Sequence, residues 1–343
     1  MGTNSSGVRG RPAEAAASLT VREATDRDLP AVLDLLQASL GWVPDDDYAR
    51  FFAWKHHESP FGRSPAWVAV DPASGDRVVG FRTFSRWRFD QGGVAVPAVR
   101  AVDTATHPDY QGRGIFSLLT RHALEALRDE GIAFVFNTPN DKSRPGYLKM
   151  GWRLVERLPV AATVRSPGSL LRLVRARTPA DKWSAPTSAG VPVDEVLADA
   201  PAVRALLDAA RTDDGRLRTD RTPAFLAWRY GFGPLHYRAM VAPGGTESGF
   251  VVFRVRRRGA ALEAAICEQI APAGDDRTGP TLVRRVLRET RADHAVQIGV
   301  ARPGRGQLPV PGQGPTLVWR DVVETDMPPA DRWALGLGDI ELF

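Results

Sequence analysis

The chain of 343 residues is long enough for two domains, and its 43% hydrophobic and 25% charged residues are typical of a soluble globular protein. A single cysteine, Cys267, excludes internal disulfides and a cysteine-rich metal site. The net charge of +5 comes without a long basic block, and neither a long apolar run nor a signal peptide is present. We therefore expect a cytoplasmic protein that binds neither nucleic acid nor a membrane.

The first half of the chain is predicted to alternate strands and helices after a polar tail. Residues 1–18 are small and polar, which predicts a disordered tail. The elements predicted after it are a strand at 19–24, a helix at 28–39, strands at 66–70, 77–89 and 94–106, a helix at 114–129, a strand at 132–139, a short helix at 141–149 and a strand from Trp152. A strand, a glycine loop, a helix and a second strand form a crossover that joins two parallel strands. The predicted fold class is therefore α/β with a mixed sheet.

The second half of the chain repeats the first. PAVLDLL (30–36) recurs as PAVRALL (201–207), FFAWKHHESP (51–60) as FLAWRYGFGP (225–234), and VVGFRTFSRWR (78–88) as ESGFVVFRVRR (247–257). Three matches in one order indicate a duplicated unit. We predict a first domain at 19–165, a linker rich in Pro, Gly and Ser at 166–190, and a second domain at 191–343. Trp54 and Trp228 hold matching positions, and we interpret both as core residues.

The loop THPDYQGRGIF (106–116) lies between a predicted strand and a predicted helix. The first turn of a helix leaves its N–H groups unpaired, and the helix dipole adds partial positive charge there. Gly112 and Gly114 let the backbone turn and leave room for an anion, while Arg113 adds a full charge. The pattern predicts a seat for a phosphate or pyrophosphate, with a tight turn that needs glycine for geometry alone as the alternative. No Lys-Ser/Thr follows, and Ser117 replaces the third glycine of the dinucleotide fingerprint, which argues against both nucleotide loops.

Two motifs resemble those of the GNAT superfamily of N-acetyltransferases. The acyl-CoA loop of that family, Gln/Arg-x-x-Gly-x-Gly/Ala, is matched by Gln111, Gly112, Arg113, Gly114 and Ile115, with Phe116 departing where a small residue is usual. The stretch NDKSRPGYLKMGW (140–152) is similar to the second signature of the family. Its matching positions are Asn140, Tyr147, Lys149 and Gly151, with Ser143 and Trp152 as near equivalents.

The resemblance covers residues 19–163 and implies a GNAT fold that uses acetyl-CoA or another acyl-CoA as co-substrate, without a metal. It implies that the second unit is a degenerate GNAT-like copy, because 271–287 lacks the Gln-x-x-Gly run, and that this unit shapes the acceptor site. The cofactor contacts that it implies are the backbone N–H groups of Ala105, Thr106 and His107, the loop residues Gln111, Gly112, Arg113, Gly114, Ile115 and Phe116, and the side chains of Asn140 and Ser143.

Acyl transfer to an amine needs a proton donor for the departing thiolate and a proton acceptor for the amine. Tyr147 is the predicted acid, because a tyrosine hydroxyl stays protonated at neutral pH and because Tyr147 lies in the matched signature. Asp103, just before the cofactor site, is the predicted base, although a structural aspartate is an equal alternative. The final segment WALGLGDIELF supplies Asp339, Glu341 and the carboxylate of Phe343 as further acidic groups.

The leading hypothesis is an acyl-CoA-dependent N-acyltransferase that moves an acetyl group directly from acetyl-CoA to a primary amine of a small molecule. One alternative is a tRNA-dependent aminoacyl transferase, which resembles the tandem-domain peptidoglycan-bridge enzymes and suits the basic charge. The other alternative is a non-catalytic module that binds acyl-CoA. The amine and the oligomeric state stay open.

Overall fold

The computed structural model describes residues 18–41, 48–169, 172, 178–300, 303–304 and 306–341. The tail predicted at 1–18 lies outside these residues except for Ser18, and so does Phe343. No helix of the described chain is long and apolar enough to span a bilayer.

The first half contains every helix and strand that the sequence predicts, with ends that differ by at most three residues. Its elements are β1 (Thr20–Glu23), α1 (Leu29–Leu40), α2 (Tyr48–His56), β2 (Ala66–Asp71), β3 (Arg77–Gln91), β4 (Val94–Thr106), α3 (Ile115–Asp129), β5 (Phe134–Asn137), α4 (Arg144–Lys149) and β6 (Arg153–Arg157). Helix α3 buries one apolar face against the sheet, as its spacing of three and four residues predicts. It packs close to β3 because Gly80 has no side chain: a Cβ there would lie 2.5 Å from Cγ2 of Ile115.

The second half follows the same order of elements. After β7 (Val160–Val164), which ends the first half, they are β8 (Val191–Pro192), α5 (Val193–Leu197), α6 (Ala200–Ala209), β9 (Arg218–Thr219), α7 (Pro223–Tyr230), β10 (Arg238–Val241), β11 (Phe250–Arg258), β12 (Ala261–Ile270), α8 (Thr278–Thr290), β13 (His294–Ile298), β14 (Gln307–Pro309), β15 (Thr316–Asp321) and α9 (Leu337–Ile340). The antiparallel strands β10, β11 and β12 lead through α8 to β13, which runs parallel to β12. In the first half, β2, β3 and β4 lead through α3 to β5 in the same way. The α/β fold class is confirmed.

The two sheets exchange strands between the halves of the chain. The first sheet has the order β1-β2-β3-β4-β5-β15-β6, with β9 paired to β3, and the second has the order β14-β7-β13-β12-β11-β10-β8. Strand β15, from the end of the chain, lies between β5 and β6, while β7, from the first half, pairs with β13 and β14. Each sheet is therefore completed by a strand from the other half.

A local irregularity is also duplicated. The pairing of β3 with β4 shifts so that Asp103 is the extra residue of a bulge, and Asp103 has a positive φ of 30°. The pairing of β11 with β12 shifts in the same sense, and its extra residue is Cys267. The bulged position of β4 thus carries a carboxylate, and the matching position of β12 carries a thiol whose pKa burial raises to about 12.

Candidate active site

The candidate site lies where β4 and β5 separate. These parallel strands pair only from Ala98 to Arg100 on β4, so the last six residues of β4 have no partner on that side. The backbone N–H of His107 donates to the Val79 carbonyl at 2.9 Å. Because N–H groups alternate in direction along a strand, those of Thr104 and Thr106 face the open edge. The N–H groups of Ala105 and His107 face β3, so the prediction that these two groups contact the cofactor is corrected, and of the three predicted donors only Thr106 faces the opening.

The glycine loop ends directly at the first turn of α3. Gly112 and Gly114 have positive φ values of 76° and 82°, which only glycine adopts without strain. No side chain caps the helix, and the N–H groups of Gly112, Arg113 and Gly114 donate to no described residue. The loop thus offers several free donors at a helix N-terminus, which is the arrangement that binds anions.

The same loop is fixed to the sheet by its side chains. Tyr110 donates its hydroxyl hydrogen to Asp71 at 2.6 Å, and the Arg77 guanidinium contacts Nε2 of His107 at 2.8 Å. The guanidinium of Arg113 lies 4.4 Å from the centre of the Tyr110 ring and donates to the Asp109 carbonyl. These contacts hold the backbone donors of the loop in place. The Gln111 N–H closes the preceding turn on Pro108.

Helix α4 places Tyr147 opposite this loop. The Asn140 side chain accepts hydrogen bonds from the backbone N–H groups of Lys142 and Ser143, at 3.1 and 2.9 Å. Asn140 and Ser143, which were predicted to touch the cofactor, therefore form the turn that begins α4. Tyr147 follows one turn later and is 5% exposed.

Phe116 departs from the family motif, and its surroundings account for the change. Its ring meets the Tyr147 ring edge to face, with centres 5.3 Å apart. It reaches this position beside Gly146, where a Cβ would lie 3.1 Å from Cε1 of Phe116. The larger residue in the loop is thus accommodated by a glycine in α4.

A contact that the sequence did not reveal joins Tyr147 to the bulge of β4. The buried Arg82 of β3 donates through Nη1 to the Tyr147 hydroxyl at 2.8 Å and to Oγ1 of Thr104. Thr104 directly follows Asp103. No motif singles out Arg82, because an arginine within a strand normally faces solvent.

Asp103 is part of a buried ionic cluster. Its carboxylate binds Nζ of Lys55 at 2.9 Å and Nε2 of His56 at 2.8 Å, and Nδ1 of His56 lies 3.0 Å from Oγ of Ser64. Burial opposes the charged form of Asp103, but the charge of Lys55 and the bond from His56 outweigh it and hold the pKa of Asp103 below its ordinary value. Burial lowers the pKa of His56 despite its bond to Asp103.

At neutral pH this cluster therefore holds an ionised Asp103 and a neutral His56. A carboxylate only accepts hydrogen bonds, so Nε2 of His56 carries the hydrogen and Nδ1 accepts from Ser64. Lys55 and His56 lie in the repeated stretch FFAWKHHESP, and their repeat counterparts are Arg229 and Tyr230. The Tyr230 hydroxyl donates to Glu268, the residue after the second bulge. That repeat is the signal by which sequence analysis could have found Lys55 and His56.

The other acidic candidates are held by arginines of the second half. Asp339 pairs with Arg221 at 3.0 Å, and Glu341 pairs with Arg254 at 2.9 Å and with Arg256. Within the described chain, no group of His, Cys, Asp and Glu side chains is arranged to hold a metal ion.

The matching edge of the second sheet is closed by side chains. Gln297 of β13 donates to Gln269 of β12 at 3.1 Å, across the gap between these strands. A Cβ at Gly279, at the start of α8, would overlap the Gln269 side chain. The gap between β4 and β5 is thus open in the first half, whereas Gln269 covers the corresponding gap between β12 and β13 in the second half.

Comparison with known proteins assigns the first half to a family. Residues 20–155 match the model of an acetyltransferase (GNAT) domain. No curated protein matches the chain.

Solved structures share the fold over most of the chain. A conserved Enterococcus faecalis protein of unknown function, described as a probable N-acyltransferase, is 13% identical with a TM-score of 0.61, and the match covers 89% of this chain and 73% of that one. A GCN5-related N-acetyltransferase from Anabaena variabilis is 14% identical with a TM-score of 0.59, at the same coverage. Eis1 from Mycobacterium abscessus is 15% identical with a TM-score of 0.54, also covering 89% and 73%. At these identities the likeness concerns the fold alone.

Proposed function

Residues 20–155 belong to the GNAT superfamily of acetyltransferases, and from this premise we propose that the chain transfers an acetyl group from acetyl-CoA to a primary amine of a small molecule. The observation that carries the proposal is the free edge of β4, which lies between a glycine loop with unpaired N–H groups and the hydroxyl of Tyr147.

In the proposed complex the pyrophosphate of acetyl-CoA sits on the loop from Gln111 to Phe116. Its pantetheine arm enters the gap between β4 and β5, where the N–H groups of Thr104 and Thr106 face the opening. These donors polarise the thioester carbonyl as it gains negative charge. Asn140 and Ser143 support the arm through the turn that they form before α4.

The chemistry then needs two proton transfers. Freeing an alkylamine of its proton at neutral pH costs about 4 to 5 kcal/mol, from an ordinary pKa of about 10.4. Asp103 receives that proton, directly or through water, because its carboxylate lies at the bulge where the strands part. The lowered pKa of Asp103 makes it a weak base, so the proton passes on to solvent and does not stay on the carboxylate. Tyr147 donates its hydroxyl hydrogen to the departing sulfur. Its oxygen accepts from Arg82, which leaves the phenolic hydrogen available for the sulfur.

In this proposal the second domain, 191–343, is a degenerate copy that binds no acyl-CoA. Two contacts of the Gln269 side chain support this assignment. It accepts a hydrogen bond from Gln297, and it packs against the backbone at the start of α8. The second domain then serves to shape the site that receives the amine.

A thermal shift followed by an activity screen tests the proposal. Acetyl-CoA at about 100 times its Kd stabilises a protein by about 2.7 kcal/mol, which corresponds to a rise in Tm of roughly 4 °C for a chain of this size. Thiol release is then measured across a panel of primary amines, with and without ribonuclease. Loss of activity with ribonuclease would point to aminoacyl-tRNA as donor, and binding without transfer to any amine would point to a non-catalytic module. Absence of both binding and transfer would refute the proposal.

A further inference from the structure

Arg82 is a buried cation without a carboxylate partner. Its side chain is 0% exposed, and no carboxylate of the described chain lies within 4 Å of its guanidinium. Nη1 donates to Tyr147 and Thr104, while Nε and Nη2 have no hydrogen-bond partner among the described residues. A buried charge normally has an anion beside it, because removal from water is costly.

Aromatic rings surround the guanidinium instead. Its central carbon lies 4.4 Å from the centre of the Phe84 ring, 5.3 Å from that of Tyr147 and 5.4 Å from that of Phe116. Ring faces attract cations but compensate them only in part. The pocket around Arg82 therefore favours any negative charge that arises next to it.

Such a charge arises if Tyr147 acts as the acid. An ordinary tyrosine titrates at about 10 and an ordinary thiol at about 8.5, so moving a proton from the phenol to the thiolate is unfavourable by about thirtyfold. We propose that Arg82 offsets this unfavourable proton transfer by stabilising the negative charge on the Tyr147 oxygen. The inference rests on the proposed acyl transfer. Arg82 acts through Tyr147 and is thus a positioning residue.

The proposed step is balanced. The amine nitrogen forms a bond to the acyl carbon, and the electron pair of the breaking C–S bond stays on sulfur. The sulfur takes the phenolic hydrogen of Tyr147 and leaves as the thiol of CoA. The phenolate that remains is held by the 2.8 Å contact with Arg82 until water returns a proton to it.

A double-mutant cycle separates this role from a structural one. Using acetyl-CoA and an amine that the unaltered protein acylates, we expect Arg82→Met and Tyr147→Phe each to lower kcat at least tenfold. The double variant should be no slower than Tyr147→Phe alone, because Arg82 has nothing to stabilise once the hydroxyl is gone. Arg82→Lys should recover part of the loss. If the double variant instead lost kcat by the product of the two single losses, the two residues would act independently and the inference would be overturned.

Two matched controls accompany the cycle. Arg88→Met removes a guanidinium from the same strand, where it lies 5.0 Å from the Phe61 ring. Tyr237→Phe removes a buried hydroxyl that accepts from Arg229 at 3.0 Å in the second half. Both variants should keep kcat within about twofold, since neither touches the proposed site.

A binding measurement decides the question even if no amine in the panel is acylated. We expect CoA to release more protons on binding at pH 7.5 than desulfo-CoA, which lacks the thiol, because the thiol donates to the Tyr147 oxygen and thereby favours the phenolate that Arg82 stabilises. Calorimetry in buffers of different ionisation enthalpy measures this difference, and Arg82→Met should abolish it with little change in Tm. If Arg82→Met showed the same difference in proton release between CoA and desulfo-CoA as the unaltered protein, the role of Arg82 would be refuted. Failure of both ligands to bind would instead refute the proposed function.

Discussion

At the residue scale, the cluster of Lys55, His56 and Asp103 combines three ionisable groups in a buried space. Lys55 and His56 are each 1% exposed, and burial lowers the pKa of both side chains. Asp103 keeps its negative charge because Lys55 lies beside it. The cluster therefore fixes the backbone at the bulge, and it makes the stability of the fold depend on pH.

We expect the free energy of unfolding to fall as the pH drops below about 6.5, the ordinary pKa of histidine. In this range the unfolded chain binds a proton at His56 that the folded chain, with its lowered pKa, does not. The loss is at most about 1.4 kcal/mol per pH unit and ends at the pKa of the folded state. Urea unfolding at pH 7.5, 6.5 and 5.5 measures it.

The comparison variant is His56→Gln, whose amide can still bridge Asp103 and Ser64 but does not titrate. Its unfolding free energy should fall less steeply over the same pH range. His122→Gln, exposed on α3, serves as the control and should behave as the unaltered protein does. Equal pH slopes for all three proteins would contradict the prediction.

At the element scale, the loops before α3 and α8 hold corresponding places but differ in what surrounds them. Gly112 in the first loop and Gly274 in the second both have positive φ, 76° and 82°, and a Cβ at either would meet no atom within 4 Å. The two glycines thus have the same backbone requirement. Only the first loop leads to an open strand edge, because Gln269 covers the other.

This match allows a paired test of which loop binds the cofactor. Gly112→Asp places a negative charge at the proposed phosphate seat and should abolish the thermal shift by acetyl-CoA. Gly274→Asp should preserve the shift. Both substitutions put a side chain in a left-handed conformation, so each should lower the stability of the free protein by a similar amount of about 1 kcal/mol. A lost shift in Gly274→Asp alone would place the cofactor in the second half.

The elements of the first half could be predicted from the sequence because their signals are local. The apolar spacing of α3 and the glycines before it mark a helix and its start within a few residues. Arg82 escaped prediction because its partner Tyr147 is 65 residues away and only the folded sheet joins them. The bulge at Asp103 escaped prediction as well, since it arises from the register between two strands.

At the scale of the whole molecule, the repeat was visible in the sequence but the strand exchange was not. Strand β15 pairs with β5 and β6, and its partners are more than 150 positions away, so no local pattern reports them. The exchange also gives the two halves a common core. Trp54 and Trp228 stack with ring centres 5.6 Å apart, and each indole N–H donates to the backbone carbonyl of the other at 2.7 Å.

We expect the two halves to unfold in one transition, because each sheet contains a strand of the other half and the tryptophans are packed between them. Leu119 in α3 and Leu282 in α8 offer a matched pair of probes, 0% and 2% exposed, each packed on its own sheet. Replacing either by alanine should cost about 2 to 5 kcal/mol. Scanning calorimetry of both variants should show one peak at a lower Tm. If the halves were independent, two peaks would appear, with Leu119→Ala moving only one and Leu282→Ala only the other.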